Sequence, residues 1–390
     1  MYKDKTNNGK DPFLAVLAFA IGRIAAQDEH AYTANNIHSM VQHGCLVLEN
    51  WLANRGPKNA TEAWGMWSGL YHLTQLAVQL RCNVTANYFA FLTGLHMDAI
   101  KQTASLAKPV WVSAAFKSLS GCATDHTLLV NYLIIATKHT NRKVALPLLL
   151  VALQGSLEGV RQSTTSLDWH VFVRLLSTIV AIMRSNTKTD ATIDLCIALY
   201  MELLQDGHGL HWQDRQVQLV LCGFEPLCRS VHVPHGSVVC SSLQLLFRFI
   251  RCAPESVGHN IASYMTVLHL FLQHLLVSEE LKQQASAVIS CGLIGRIYVE
   301  ICENARLFPF HIATFLITHC IQLLTQHSVP THLSTLLTTG ACKLFSRLSP
   351  SDRQHVFEVL SVGEKQFYKQ LYDRYNKFFE WQDIKTYLSG

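Results

Sequence analysis

Apolar residues recur at three- and four-residue spacing along almost the whole chain, and no stretch sustains a period-two alternation. That is the signature of helices that bury one face, not of strands. The runs predict helices over about 12–27, 34–54, 61–81, 84–106, 110–120, 125–138, 143–162 and 167–184. The series continues over about 190–206, 211–222, 236–252, 258–277, 279–304, 309–327, 331–347, 350–361 and 364–381. Short breakers separate them, among them Arg55-Gly56-Pro57, Lys108-Pro109, Ser185-Asn186-Thr187, Asp206-Gly207, Val233-Pro234-His235-Gly236 and Ser349-Pro350. At the last of these the Ser349 hydroxyl is free to cap and Pro350 suits a first helical position.

Two helices and a turn take about 40 residues, the length of a HEAT or armadillo unit. No two units align with one another, so any repeat is architectural. The expected fold is all-α: stacked antiparallel helices in an irregular HEAT/armadillo-like α-solenoid. The loop at Gly207–His211 divides it into an N-terminal helical-repeat body, 1–207, and a C-terminal helical domain, 208–390; the loop at His232–Gly236 is the other candidate divide.

Composition narrows the partners. Hydrophobic residues make up 49% of the 390 and charged residues only 15%, against about 25% in ordinary soluble domains. A surface so poor in charge is hidden in the chain's own layers or covered by other proteins. The net charge is +5 with a pI near 8.5, and the basic groupings, Lys138–Lys143 and Lys365 with Lys369, Arg374 and Lys377, are small. Nucleic-acid binders concentrate such residues in a stripe, so contact with RNA is expected to be indirect.

The 12 cysteines include no C-x-x-C pair, and most stand in apolar helical runs where a thiol behaves as a small hydrophobe. Reduced thiols in the cytosol or nucleus are the expectation. Phe13–Ile21, after Lys3, Lys5 and Lys10, mimics a secretory leader, and sequons stand at Asn59 and Asn83. Asp4, Asp11 and Pro12 dilute the leader's charge and Arg23 falls where cleavage should occur, so a buried helix is the better reading. No run reaches the ~18 uninterrupted apolar residues of a membrane span, and no membrane is expected.

The densest set of metal ligands is Cys222, Cys228, His232, His235 and Cys240. Their spacing fits no common zinc finger or ribbon, so no metal is expected. Ser185-Asn186-Thr187-Lys188 matches a bare S-x-x-K, but it opens a polar turn and lacks the companion motifs. There is no G-x-S-x-G, no P-loop and no dinucleotide fingerprint; Gly292 and Gly295 sit mid-helix, where close helix packing explains them. No catalytic residue and no cofactor are expected.

The last helix is more informative. Phe367, Tyr368, Leu371, Tyr372, Tyr375, Phe378 and Phe379 make one broad aromatic face opposite Lys365, Lys369, Asp373, Arg374, Lys377 and Glu380. Such a face closes the end of a helix stack. Three tyrosines also bring hydroxyls that need polar partners, as at interfaces, which makes Tyr368, Lys369, Leu371, Tyr372, Tyr375 and Lys377 the candidate partner-binding residues.

Leu337-Thr338-Thr339-Gly340, Ala341-Cys342-Lys343-Leu344-Phe345 and Leu360-Ser361-Val362-Gly363 lead to Phe367-Tyr368-Lys369-Gln370-Leu371-Tyr372-Asp373-Arg374-Tyr375-Asn376-Lys377. This order resembles the C-terminal domain of the unhealthy ribosome biogenesis protein 2 family, also called nucleolar preribosomal-associated protein 2. Leu293-Ile294-Gly295-Arg296-Ile297-Tyr298 and the Phe308–Leu324 helix look like its preceding pair, so the resemblance covers about 290–381, roughly a quarter of the chain. It implies a non-enzymatic scaffold in the nucleus and nucleolus, acting in early large-subunit (pre-60S) assembly and pre-rRNA processing. Its implied partners are a larger helical-repeat scaffold and a DEAD-box RNA helicase. Without the resemblance, a generic HEAT-like adaptor in transport or trafficking is the alternative.

Overall fold

The computed structural model describes residues 44–46, 48–54, 56–79, 86–122, 126–139, 145–162, 167–185, 189–205, 210–228, 235–309 and 311–377. Among them there is no strand, and the chain is an all-α stack of helices packed on one another. The helix expected over 12–27 lies outside the described residues, and of the next only 44–46 and 48–54 are described, as helix. In order follow α1 (Ala60–Gln79), α2 (Ala86–Thr103), α3 (Pro109–Cys122), α4 (His126–His139), α5 (Ala145–Gln162) and α6 (Trp169–Arg184). Then come α7 (Asp190–Leu203), α8 (Asp214–Cys228), α9 (Gly236–Cys252), α10 (Pro254–His259), α11 (Ile261–Val277), α12 (Glu279–Gln283) and α13 (Ala285–Glu303). The series ends with α14 (His311–Gln326), α15 (Thr331–Leu344), a 3-10 turn (Phe345–Arg347), α16 (Pro350–Val359) and α17 (Val362–Tyr375). The chain forms two compact units, and the division falls inside α6, between Thr178 and Ile179, with Gln205–Leu210 assigned to the first unit.

In the first unit α3 lies between α1 and α5, with α2 and α4 packed alongside. The α3–α5 crossing is close because α5 carries Gly155 and Gly159 one turn apart. A methyl at Gly155 would meet the Ser113 backbone, and one at Gly159 would sit 2.8 Å from the Lys117 carbonyl and 2.5 Å from Ser120 Cβ. Ser120 Oγ then donates to the Ser156 carbonyl across the same crossing, at 3.1 Å. Under α1, the Trp67 indole donates to Thr103 Oγ1 at 3.1 Å, so its large apolar body is buried without an orphaned N–H. His96 packs edge-on to Trp67 and Phe116; burial lowers its pKa to about 4 and keeps it neutral. Asn59 of the first sequon caps α1, its Oδ1 accepting from the Glu62 amide at 2.9 Å.

In the second unit alternate helices form two layers. One runs α7, α9, α13, α15, α17 and the other α8, α11, α14, α16, with the short α10 and α12 as connectors. This next-but-one neighbour pattern is what stacked helical hairpins produce. α13 is by length and composition apolar enough to cross a membrane, and here it is the layer's central helix, packed between α9 and α15. Cys291 on α13 and Cys320 on α14 are fully buried core thiols, each pushed up to about 12 by burial. Gly295 and Gly340 make the α13–α15 crossing. A methyl on Gly340 would fall within 2.7 Å of the Gly295 carbonyl oxygen and 2.9 Å of its carbon. The packing reason given for the mid-helix glycines therefore holds at Gly295, whereas Gly292 faces open space.

Two predicted spans are corrected. The helix expected over 279–304 is broken at Gln284, whose backbone is extended (φ −79°, ψ 144°). The buried Lys282 ammonium is drawn to the Ser328 carbonyl at 2.7 Å and to Glu279 at 2.5 Å, and Gly236 at the start of α9 lies so close that a Cβ there would collide with the Gln284 and Ser286 side chains. Conversely, α8 runs on past the expected stop at 222, because Gly223 lies against Val180, Met183 and Tyr200 instead of breaking the helix.

Candidate docking face at the C-terminal helix

α16 and α17 begin with the same device. Ser349 accepts from the Asp352 amide at 3.1 Å while the Asp352 carboxylate accepts from the Ser349 amide at 3.1 Å. Ser361 and Glu364 repeat this capping box on α17. The caps set where each helix starts, and hence which face of α17 turns inward. Tyr368, Leu371 and Tyr375 are buried, Tyr372 is half-buried, and Lys369 and Lys377 are exposed. Phe378 and Phe379 lie outside the described residues.

The tyrosines surround one ring. Phe345, in the 3-10 turn after α15, has Tyr368, Tyr372 and Tyr375 at 5.3, 5.5 and 5.8 Å between centroids. Arg353 of α16 lies over the Tyr372 and Tyr375 rings. Its Nη1 donates to the Tyr372 hydroxyl at 3.0 Å and its Nη2 to the Phe345 carbonyl at 3.2 Å, with the guanidinium 5.4 Å from the Tyr372 ring centre. That geometry adds cation–π attraction to two hydrogen bonds. The Tyr368 hydroxyl donates to the Arg353 carbonyl at 3.2 Å, and burial pushes it up to about 12. Arg374 donates to Thr338 and Thr339 on α15 at 3.1 and 3.2 Å. Two of the three tyrosine hydroxyls thus have partners on α16, which ties the last helices into one closure.

What remains outward mixes lysines and exposed apolar residues with the carboxylates of Glu358 and Asp373. Lys365 and Lys369 both lie over the Phe357 ring, at 5.4 and 5.5 Å, and Val359 and Val362 are exposed at the turn between the helices. Arg353, Phe345 and Phe357 were not among the residues expected here. A lone arginine in a polar helix carries no sequence mark of the ring it covers.

The described members of the densest ligand set stand on two successive helices, α8 and α9, and at the cap of α9. His235 caps α9, its Nδ1 accepting from the Ser237 amide at 3.3 Å; Cys222 is on α8 and Cys240 is buried on α9, its thiol pushed up by burial. His232 and the side chain of Cys228 lie outside the described residues, as do Asn186, Thr187 and Lys188 of the S-x-x-K segment. Among the described residues no three His, Cys, Asp or Glu side chains converge as a metal site.

The profile of the Urb2/Npa2 family matches residues 148–384. The chain belongs to the Urb2/Npa2 family. The match takes in the closure of α15, α16 and α17 and all six candidate docking residues, and it reaches well upstream of the 290–381 resemblance, into α5. Urb2/Npa2 membership assigns the chain to ribosome biogenesis. No curated protein matches the chain.

Proposed function

We propose that this Urb2/Npa2 chain is a non-enzymatic helical scaffold in early pre-60S assembly and pre-rRNA processing, working in the nucleolus. Its partners are proteins of the pre-ribosomal particle, a larger helical-repeat scaffold and a DEAD-box helicase among them, and its contact with RNA is indirect. The family match over 148–384 is the observation that carries the assignment to ribosome biogenesis. The scaffold role is supported by helices stacked layer on layer and by a surface poor in charge. The docking face belongs to the C-terminal segment, 208–390. In it Tyr368, Leu371, Tyr372 and Tyr375 set the position of α17, and Lys369 and Lys377 stand on its outward side.

The test is affinity purification of the tagged chain from its own cells with the eluate probed for rRNA precursors. Enrichment of large-subunit precursors over mature rRNA supports the proposal; their absence, with the bait intact and soluble, overturns it. The docking face has its own test in a chain with Tyr368, Tyr372 and Tyr375 all changed to Phe. Loss of partner recovery supports it, and unchanged stability with unchanged recovery removes it.

A further inference from the structure

Of the ten prolines in the chain, only Pro350 follows a serine or threonine. Ser349 and Pro350 are both exposed, and the Ser349 backbone is extended (φ −65°, ψ 162°), the conformation in which kinase clefts hold an acceptor. The helix behind it buries little: along the ten residues of α16 only Val356 is buried. Little apolar surface therefore has to be exposed for its first turn to open. The capping carboxylate of Asp352 also lies 2.6 Å from Ser349 Oγ, accepting its proton.

We propose that Ser349 is a phosphoacceptor for a proline-directed protein kinase, and that its phosphorylation releases the start of α16. In the transfer, Ser349 Oγ bonds to the γ-phosphorus of ATP, the bond from that phosphorus to the β–γ bridging oxygen breaks, ADP leaves, and the hydroxyl proton passes to the kinase's base. The product puts a group of charge near −2 where a neutral hydroxyl donated to Asp352. The hydroxyl proton is gone, the two anions repel, and the Asp352 carboxylate leaves the Ser349 amide. Helix dipoles favour a phosphate at an N-terminus, but this one already holds a carboxylate there. The nearest arginines in sequence are engaged elsewhere: Arg347 on the Ala305 carbonyl at 2.8 Å and Arg353 on Tyr372. Because Arg353 is on the first turn and a half of α16, release of that turn reaches the aromatic closure of α17. This inference stands independently of the ribosomal assignment.

The test uses the full chain with magnesium–ATP and a purified proline-directed serine/threonine kinase, with sites mapped by mass spectrometry. Ser349 should be modified, and both Ser349→Ala and Pro350→Ala should abolish it; Pro350→Ala keeps the serine cap, so its fold is intact by circular dichroism. Amide exchange over 352–356 should then accelerate about tenfold, the scale of losing a cap with added repulsion, and much less in Asp352→Asn. If Ser349 stays unmodified in the folded chain but is modified once the chain is unfolded, the fold shields it and the proposal fails. Modification with unchanged or slower exchange overturns the release of α16.

Discussion

The α13–α15 crossing allows a calculation because backbone meets backbone there. In Gly340→Ala the new methyl would stand 2.7 Å from the Gly295 carbonyl oxygen and 2.9 Å from its carbon, where ordinary contact begins near 3.4 Å. The shortfall is half an ångström or more, and no side chain can swing away to relieve it. Three backbone atoms of Gly295 stand in the way, so the helices must separate, which is overpacking in the upper part of its range, about 2–3 kcal/mol. Replacing a mid-helix glycine by alanine returns about 1 kcal/mol of propensity, so the net loss is about 1–2 kcal/mol. Gly292→Ala, one turn away on α13 with nothing within 4 Å, keeps the propensity gain and has no clash. The assay is thermal unfolding followed by circular dichroism. At about 2–4 °C per kcal/mol for a unit of 150–250 residues, Gly340→Ala should melt about 2–8 °C lower and Gly292→Ala slightly higher than the parent. Equal melting of Gly340→Ala and the parent would refute the reasoning, as would a loss in Gly292→Ala matching that in Gly340→Ala.

Three more predictions rest on single groups. His96 has a folded pKa of about 4 against 6.5 ordinarily, so as pH falls from 6.5 towards 4 the unfolded chain takes up a proton that the folded chain refuses. Stability is therefore lost by about 2 kcal/mol at pH 5, and urea melts at pH 7.5 and 5.0 should show that part of the loss vanish in His96→Leu. Lys282→Met leaves the Ser328 carbonyl without its 2.7 Å donor and should cost about 2 kcal/mol, with faster amide exchange in α12 and at 327–329; unchanged exchange would disprove the tie. Arg353→Met removes the donor to Tyr372 and Phe345 together, and should destabilise the α16–α17 closure by about 2–3 kcal/mol against about 1 kcal/mol for Tyr372→Phe, read by chemical denaturation; equal losses would mean the guanidinium does no more than the single hydroxyl bond.

The sequence by itself determined the helices, because amphipathic period is a property of neighbours along the chain. α9 spans the predicted 236–252, and the Ser349-Pro350 start of α16 is a capping box. It also determined that one aromatic face runs along α17. Only the tertiary structure decided what meets that face: Phe345 as the ring at its centre and Arg353 as its cover, neither of which a 3.6-residue period can single out. The same holds for the glycines, where Gly292 and Gly295 read alike in the chain and only the approach of α15 separates an open site from a filled one. The break at Gln284 was hidden for the same reason, since the carbonyl that Lys282 reaches at the end of α12, that of Ser328, is 46 residues away. Local preference specifies the elements, while the partner of each face is chosen among many apolar faces of similar pattern by the free energy of packing the whole stack.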